Sequence, residues 1–166
     1  MPIRSILRFP DARLSMAAAP VERFDADLAA LANDLLETMR AAPGIGITAP
    51  HIGILQRLTV IELDPASGPK IYVNPEIIWS SDDTVSHAEG SVSMPGITDD
   101  VVRPRLINVR YQTLSGDVVE TEADGFLSVC LQHEIDQLDG IFWLQRLSRL
   151  KRERATKRFA KLARNG

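Results

Sequence analysis

Polar and apolar positions along the chain change period several times, and each change marks an element. From Asp25, a candidate N-cap, Leu28, Leu31, Leu35, Leu36 and Met39 recur at helical spacing until Pro43 and Gly44. That pattern predicts an amphipathic helix with one face in the core. Before it, Ile3, Ile6, Leu7 and Phe9, interrupted by Pro10-Asp11 and later Pro20, predict an extended arm lying over the core. After it come short runs at Leu58 to Leu63, Ile71 to Val73, Ile77 to Trp79, Thr84 to Glu89, Arg105 to Thr113 and Val118 to Thr121. They are separated by turn-forming clusters such as Asp64 to Pro69, Ser81 to Asp83 and Ser115 to Asp117, so they predict strands joined by hairpins into antiparallel sheets. Helical period returns from Phe126 to Leu138, where Phe126, Val129, Cys130, His133 and Gln137 share a face. Ile141 to Leu144 predicts a short strand. Ser148, another candidate N-cap, opens a last helix to about Arg164, with Leu150, Ala155, Phe159 and Leu162 as a thin apolar stripe.

Composition limits how these elements assemble. With 166 residues, 45% hydrophobic and 25% charged, the chain is expected to form a single α+β domain spanning 1–166 around one core. Its apolar runs are short and no charged segment precedes one, so neither a membrane span nor a secretory leader is expected, and the expected location is the cytoplasm. The single cysteine, Cys130, excludes an internal disulfide; one turn before Glu134 it reads as a buried wall residue. The formal charge of −3 is unevenly spread. Residues 146–166 hold nine Lys and Arg against one acid, a formal +8, which leaves −11 on the rest: an acidic body with a basic handle at about 148–164.

The candidate chemistry lies in three segments. In H-E-x-x-H, two histidines four residues apart grip a metal ion from one helix face while the Glu handles protons for the bound water. Here His133 and Glu134 stand in place, but Gln137 occupies the second His position, and a neutral amide is a poor ligand for zinc or iron. Upstream, residues 87, 89 and 91 alternate onto one side of a regular strand, which would present His87, Glu89 and Ser91 together. Between Gly44 and Gly53 the paired glycines Gly44 and Gly46 permit close backbone approach. That loop lacks the Lys-Ser/Thr ending of a phosphate-binding loop, and Pro50 interrupts where a nucleotide-binding helix would run, so no nucleotide cofactor is expected.

A glycine loop, an E-G-x-x-S strand (Glu89 to Ser93) and a Q-H-E-x-D helix (Gln132 to Asp136), in this order and spacing, resemble the peptide deformylase family over nearly the whole chain. The resemblance implies antiparallel sheets around a central helix carrying the H-E-x-x-H motif, followed by a C-terminal helix. It implies removal of N-formyl groups from N-formyl-methionyl peptides by a divalent metal, with Glu134 as the catalytic residue and His133 as a metal ligand. It also implies a substrate cleft formed by Ile45, Gly46, His51, Val92, Val129 and Cys130, and docking of the basic C-terminal helix on the ribosome.

The chain departs from the family pattern at the chemistry itself. Ser91 replaces the Cys ligand, Gln137 the second His ligand, Thr48 an Ala of the glycine loop, and His51 the Gln that helps hold the substrate carbonyl. Loss of a thiolate and an imidazole predicts weak or lost hydrolysis and no resident cofactor. The alternatives are an active peptide deformylase or related amide hydrolase with a rebuilt site, and a non-catalytic ribosome-associated or peptide-binding protein. A rebuilt hydrolase would hold zinc, iron or nickel through His133 with His51 or His87 and a carboxylate, or would use Ser91 and His133 as a nucleophilic pair.

Overall fold

The computed structural model describes residues 3–165; Met1, Pro2 and Gly166, the ends of the expected 1–166 unit, lie outside it. Helix α1, Ala26–Ala41, begins as the periodicity predicts: the Asp25 carboxylate accepts the Leu28 N–H at 3.1 Å. Its apolar face, Leu28, Leu35 and Met39, is buried against strands β1, Gly46–Thr48, and β2, Leu58–Ile61. These strands continue through β3, Lys70–Ser80, into β6, Ile107–Gln112, and β7, Val118–Ala123, forming a five-stranded antiparallel sheet in the order β1-β2-β3-β6-β7. Strands β4, Thr84–Ser91, and β5, Met94–Pro104, pair as a separate antiparallel hairpin.

Helix α2, Gly125–Leu138, lies between the two sheets. Leu131 and Ile135 pack on Ile61, Tyr72, Ile107 and Val109 of the larger sheet. Burying each such side chain contributes about 2 kcal/mol, so the sheet fixes the rotation of α2 and hence the direction of its polar residues. Helix α3, Arg149–Asn165, buries only Ala155 and Phe159, which pack with Met94, Ile97 and Val101 of β5. Its start matches the expected cap, since Ser148 Oγ accepts the Lys151 N–H at 3.3 Å.

The architecture is the α+β arrangement expected, with several local corrections. Ile141 to Leu144 does not form a strand: residues Trp143–Arg146 make a short 3-10 helix, because Trp143 and Leu144 are both buried against β5 and α3. The two runs at 71–73 and 77–79 form one strand, β3, with register shifts between Val73 and Glu76 and between Ile77 and Trp79. Part of the glycine loop is ordered as β1, followed by a 3-10 turn, Ala49–Ile52. No helix among the described residues is long and apolar enough to cross a membrane.

Candidate functional site

Helix α2 starts where the Asp124 carboxylate accepts the Gly125 N–H at 2.6 Å. Two turns on, it carries His133 and Glu134 into the gap between β1 and the β4–β5 hairpin. All six expected binding residues, Ile45, Gly46, His51, Val92, Val129 and Cys130, line one cavity there of about 710 Å³, together with His133 and Glu134.

His133 is oriented from β4. Its Nδ1 lies 2.8 Å from Glu89 Oε1, and Arg103 of β5 donates two hydrogen bonds to the same carboxylate, at 2.5 and 2.9 Å. Burial alone would raise the Glu89 carboxyl, but Arg103 and then His133 outweigh it and hold it down to about 2. An ionised carboxylate only accepts, so Nδ1 carries the proton and Nε2 faces the Glu134 side, 3.5 Å from its Oε1. Burial opposes a charge on His133, yet the bond to Glu89 and the nearby Glu134 and Glu89 charges leave its affinity for a proton raised. Arg103 also reaches Asp136 at 2.9 Å, and Arg146 makes two further bonds to Asp136 at 2.9 and 2.7 Å. Two arginines and two carboxylates thus clamp one side of α2.

Glu134 is buried against Gly46: a Cβ on Gly46 would stand 3.2 Å from the carboxylate. Close approach at this glycine, expected from the loop sequence, therefore has a defined target. Burial, foremost, pushes Glu134 up to about 7, with the His133 charge opposing and that of Glu89 assisting. Its Oε2 is buried with no hydrogen-bond partner among the described residues.

His51 sits in the 3-10 turn after β1 and is 1% exposed. The Thr48 N–H donates to its Nδ1 at 2.9 Å, and the Thr48 hydroxyl lies at the same distance. Burial, followed by the nearby His133 charge, holds His51 down to about 3. Its Nε2 is a second buried atom without a partner among the described residues. Cys130 occupies the cavity wall with its thiol pushed up to about 12 by burial and then by Glu134 and Glu89, as suits an inert wall residue.

Of the other residues singled out in the sequence, Glu89 and Ser91 also line this cavity, whereas His87 and Gln137 do not. The β4–β5 pairing is regular from His87 to Glu89, which keeps these two on one face, and shifts between Glu89 and Ser91, which takes Ser91 out of that alternation. Glu89 turns inward, while His87 is exposed and stacks on Phe126 at 4.8 Å between ring centroids. Ser91 makes no hydrogen bond to His133 among the described residues; its Oγ accepts the Ser93 N–H at 3.1 Å. The serine–histidine pair is therefore not formed. Gln137 is buried outside the cavity lining, and its Nε2 donates to the Leu14 carbonyl at 2.7 Å. Among the described residues no three His, Cys, Asp or Glu side chains come together as a metal-holding group, so the relocated site through His51 or His87 is not built either. Sequence reasoning missed Thr48 as the anchor of His51, and it missed Arg103, Asp136 and Arg146. The signal for Arg103 was its place in the inward alternation of Ile97 and Val101, and that for Asp136 a carboxylate two residues beyond Glu134; Arg146 carried none.

Comparison with known proteins bears on the same stretch. Residues 3–153 match the family model described as polypeptide deformylase. A protein of Rhizobium meliloti (strain 1021) named peptide deformylase-like is 62% identical over 164 residues, covering 99% of this chain and 95% of its own length. A peptide deformylase of Phenylobacterium zucineum (strain HLK1) is 46% identical over 166 residues, with 98% of each covered. The crystal structure of a peptide deformylase from Legionella pneumophila superposes with a TM-score of 0.93 at 41% identity, covering 98% of this chain and 96% of that one.

Proposed function

The chain belongs to the polypeptide deformylase family, and from that premise we propose that it keeps the family's peptide cleft while its hydrolysis of N-formyl-methionyl peptides is weak or lost. The observation that carries this reading is what the three ligand positions do instead of holding an ion. Ser91 Oγ receives a backbone N–H, the Gln137 amide is spent on Leu14, and His133 commits Nδ1 to Glu89. One imidazole nitrogen is left, and neither a hydroxyl nor an amide supplies the charge a thiolate would. These residues do not fit a divalent ion, whose capture in a small site is worth roughly 10 kcal/mol. Water without a metal then keeps a pKa far above that of a Glu134 carboxyl at about 7, so general-base catalysis by that carboxylate has little to work with.

Binding has different requirements. Ile45, Val129 and Cys130 still wall the cavity, in keeping with a pocket for an apolar side chain such as methionine, and Gly46 and Val92 line it beside them. Hydrolysis of N-formyl-Met-Ala-Ser tests the reading on the wild-type chain and on Ser91→Cys, Gln137→His supplied with nickel or zinc. The expected result is negligible turnover by the wild type and measurable turnover by the double variant. Equal, rapid turnover by both would overturn it.

A second role rests on α3. Arg154, Lys157, Arg158, Lys161 and Arg164 are exposed and make no ion pair among the described residues, a surface suited to the phosphates of ribosomal RNA.

A further inference from the structure

The arm that precedes α1 carries two arginines to the cavity. Arg4, Ile6 and Arg8 are alternate residues and line it together with Ile3, whereas Leu7 and Phe9 pack against the core cluster that contains Phe142 and Phe159. Such alternation is that of extended chain, and two backbone bonds fix it: the Leu7 N–H donates to the His51 carbonyl at 2.7 Å and the Phe9 N–H to the Ser93 carbonyl at 2.9 Å. A slip of one residue would exchange the two sides and turn Arg8 into the core, so packing of Leu7 and Phe9 holds Arg8 toward the cavity.

The two arginines differ in what they meet. Arg4 is engaged: its Nε and Nη2 reach Asp34 Oδ2 at 3.0 and 2.9 Å, and its backbone N–H donates to Thr38 Oγ1 at 2.9 Å. The Arg8 side chain is exposed and makes no hydrogen bond or ion pair among the described residues. Residues 1–145 carry a formal −11, so acids are not scarce, yet none is placed against it. Among the described residues the only acids lining the cavity are Glu89 and Glu134, on β4 and α2, and Glu89 already serves Arg103 and His133. Ala42 and Pro43 after α1, and Pro95 at the start of β5, add apolar wall to that of Ile3 and Ile6. The cavity narrows where Val92 meets the loop, since a Cβ on Gly44 would stand 2.7 Å from Val92 Cγ1.

We propose that the arm side of the cavity is a binding site for a medium-chain aliphatic monocarboxylate, the Arg8 guanidinium holding the carboxylate while Ile3, Ile6 and Pro95 contact the chain. A guanidinium meets a carboxylate through two parallel N–H···O bonds, and one free cation matches one negative charge better than the two of a phosphate monoester. The apolar wall adds affinity with each methylene it removes from water. The cavity, at about 710 Å³, has the size of a small-molecule site. Binding there needs neither an ion at His133 nor turnover, and the ligand differs from a formyl peptide in carrying its charge beside an aliphatic chain.

Isothermal titration of the purified chain with octanoate, 1-octanol and propionate reads charge and chain separately, while nitrogen-15 arginine spectra follow the Arg8 Nε–H. Octanoate is expected to bind roughly tenfold more tightly than either of the others and to shift the Arg8 signal. Arg8→Gln, a change at an exposed position, is expected to bring octanoate down to the level of 1-octanol. Octanoate that binds no better than 1-octanol or propionate, or that keeps its preference in Arg8→Gln, overturns the proposal. A shift confined to the arginines of α3 does the same, because the anion would then sit on the basic helix. Binding that disappears on EDTA dialysis would put the carboxylate on a metal ion and overturns both this site and the reading of lost hydrolysis. Absent binding by a metal-free protein without formyl-peptide turnover overturns the carboxylate site alone.

Discussion

His51 and Gln137 differ from the family pattern in opposite ways: one brings a new polar group into the cleft and the other takes one out. His51 is buried and neutral, with its ordinary value of 6.5 held down to about 3. Between those values the unfolded chain binds a proton that the folded chain does not, so stability is complete above pH 6.5 and falls as pH drops toward 3. The whole shift corresponds to at most about 5 kcal/mol. Urea midpoints measured from pH 7 to pH 4 should therefore fall less steeply for His51→Gln than for the wild type; superimposable profiles would contradict the buried neutral ring. Legibility at this scale was uneven. The replacements themselves, and the closeness of Gly46 to another group, could be read from the glycine loop and the H-E-x-x-Q pattern. The hydrogen bonds could not: Gln137 donates to Leu14, 123 positions earlier in the chain, and nothing local in either segment signals such a partner.

At the level of elements, the Gln137 to Leu14 bond ties α2 to the 3-10 turn Ala12–Ser15 beneath it. Gln137→Leu keeps a similar volume but leaves the Leu14 carbonyl without its partner, a loss of about 1–3 kcal/mol. Thermal unfolding should drop by roughly 2–4 °C per kcal/mol in a chain of this size, and an unchanged midpoint would argue that the bond is dispensable. Helices α1 and α2 were legible because their apolar period is strong and Asp25 caps the first. Strand β5 was not. Pro95, Gly96, Asp99 and Asp100 resemble a turn, and the inward alternation of Ile97 and Val101 ends on Arg103. A buried arginine is tolerated there because Glu89 and Asp136, from two other elements, supply its counter-charges. Pairing of that kind is visible only once the hairpin and α2 have been brought together.

For the whole molecule, the antiparallel α+β architecture was legible from turn spacing, and the family from three motifs in register; the separation of β4–β5 from the five-stranded sheet was not, since pairing order leaves no trace in strand composition. Charge segregation survives folding, with the basic residues of α3 held on the surface by the burial of Ala155 and Phe159 alone. If that face meets RNA phosphates, co-sedimentation with ribosomes should weaken steeply between 50 and 200 mM salt, on the order of tenfold or more, and salt-independent co-sedimentation would contradict an electrostatic contact. The central claim concerns the cleft, and metal analysis of the purified chain tests it most directly. After dialysis and re-exposure to zinc, iron or nickel, the account predicts less than about a tenth of an equivalent retained, because one imidazole nitrogen cannot hold the ion against water. One equivalent of tightly bound metal, lost on His133→Ala, would contradict it.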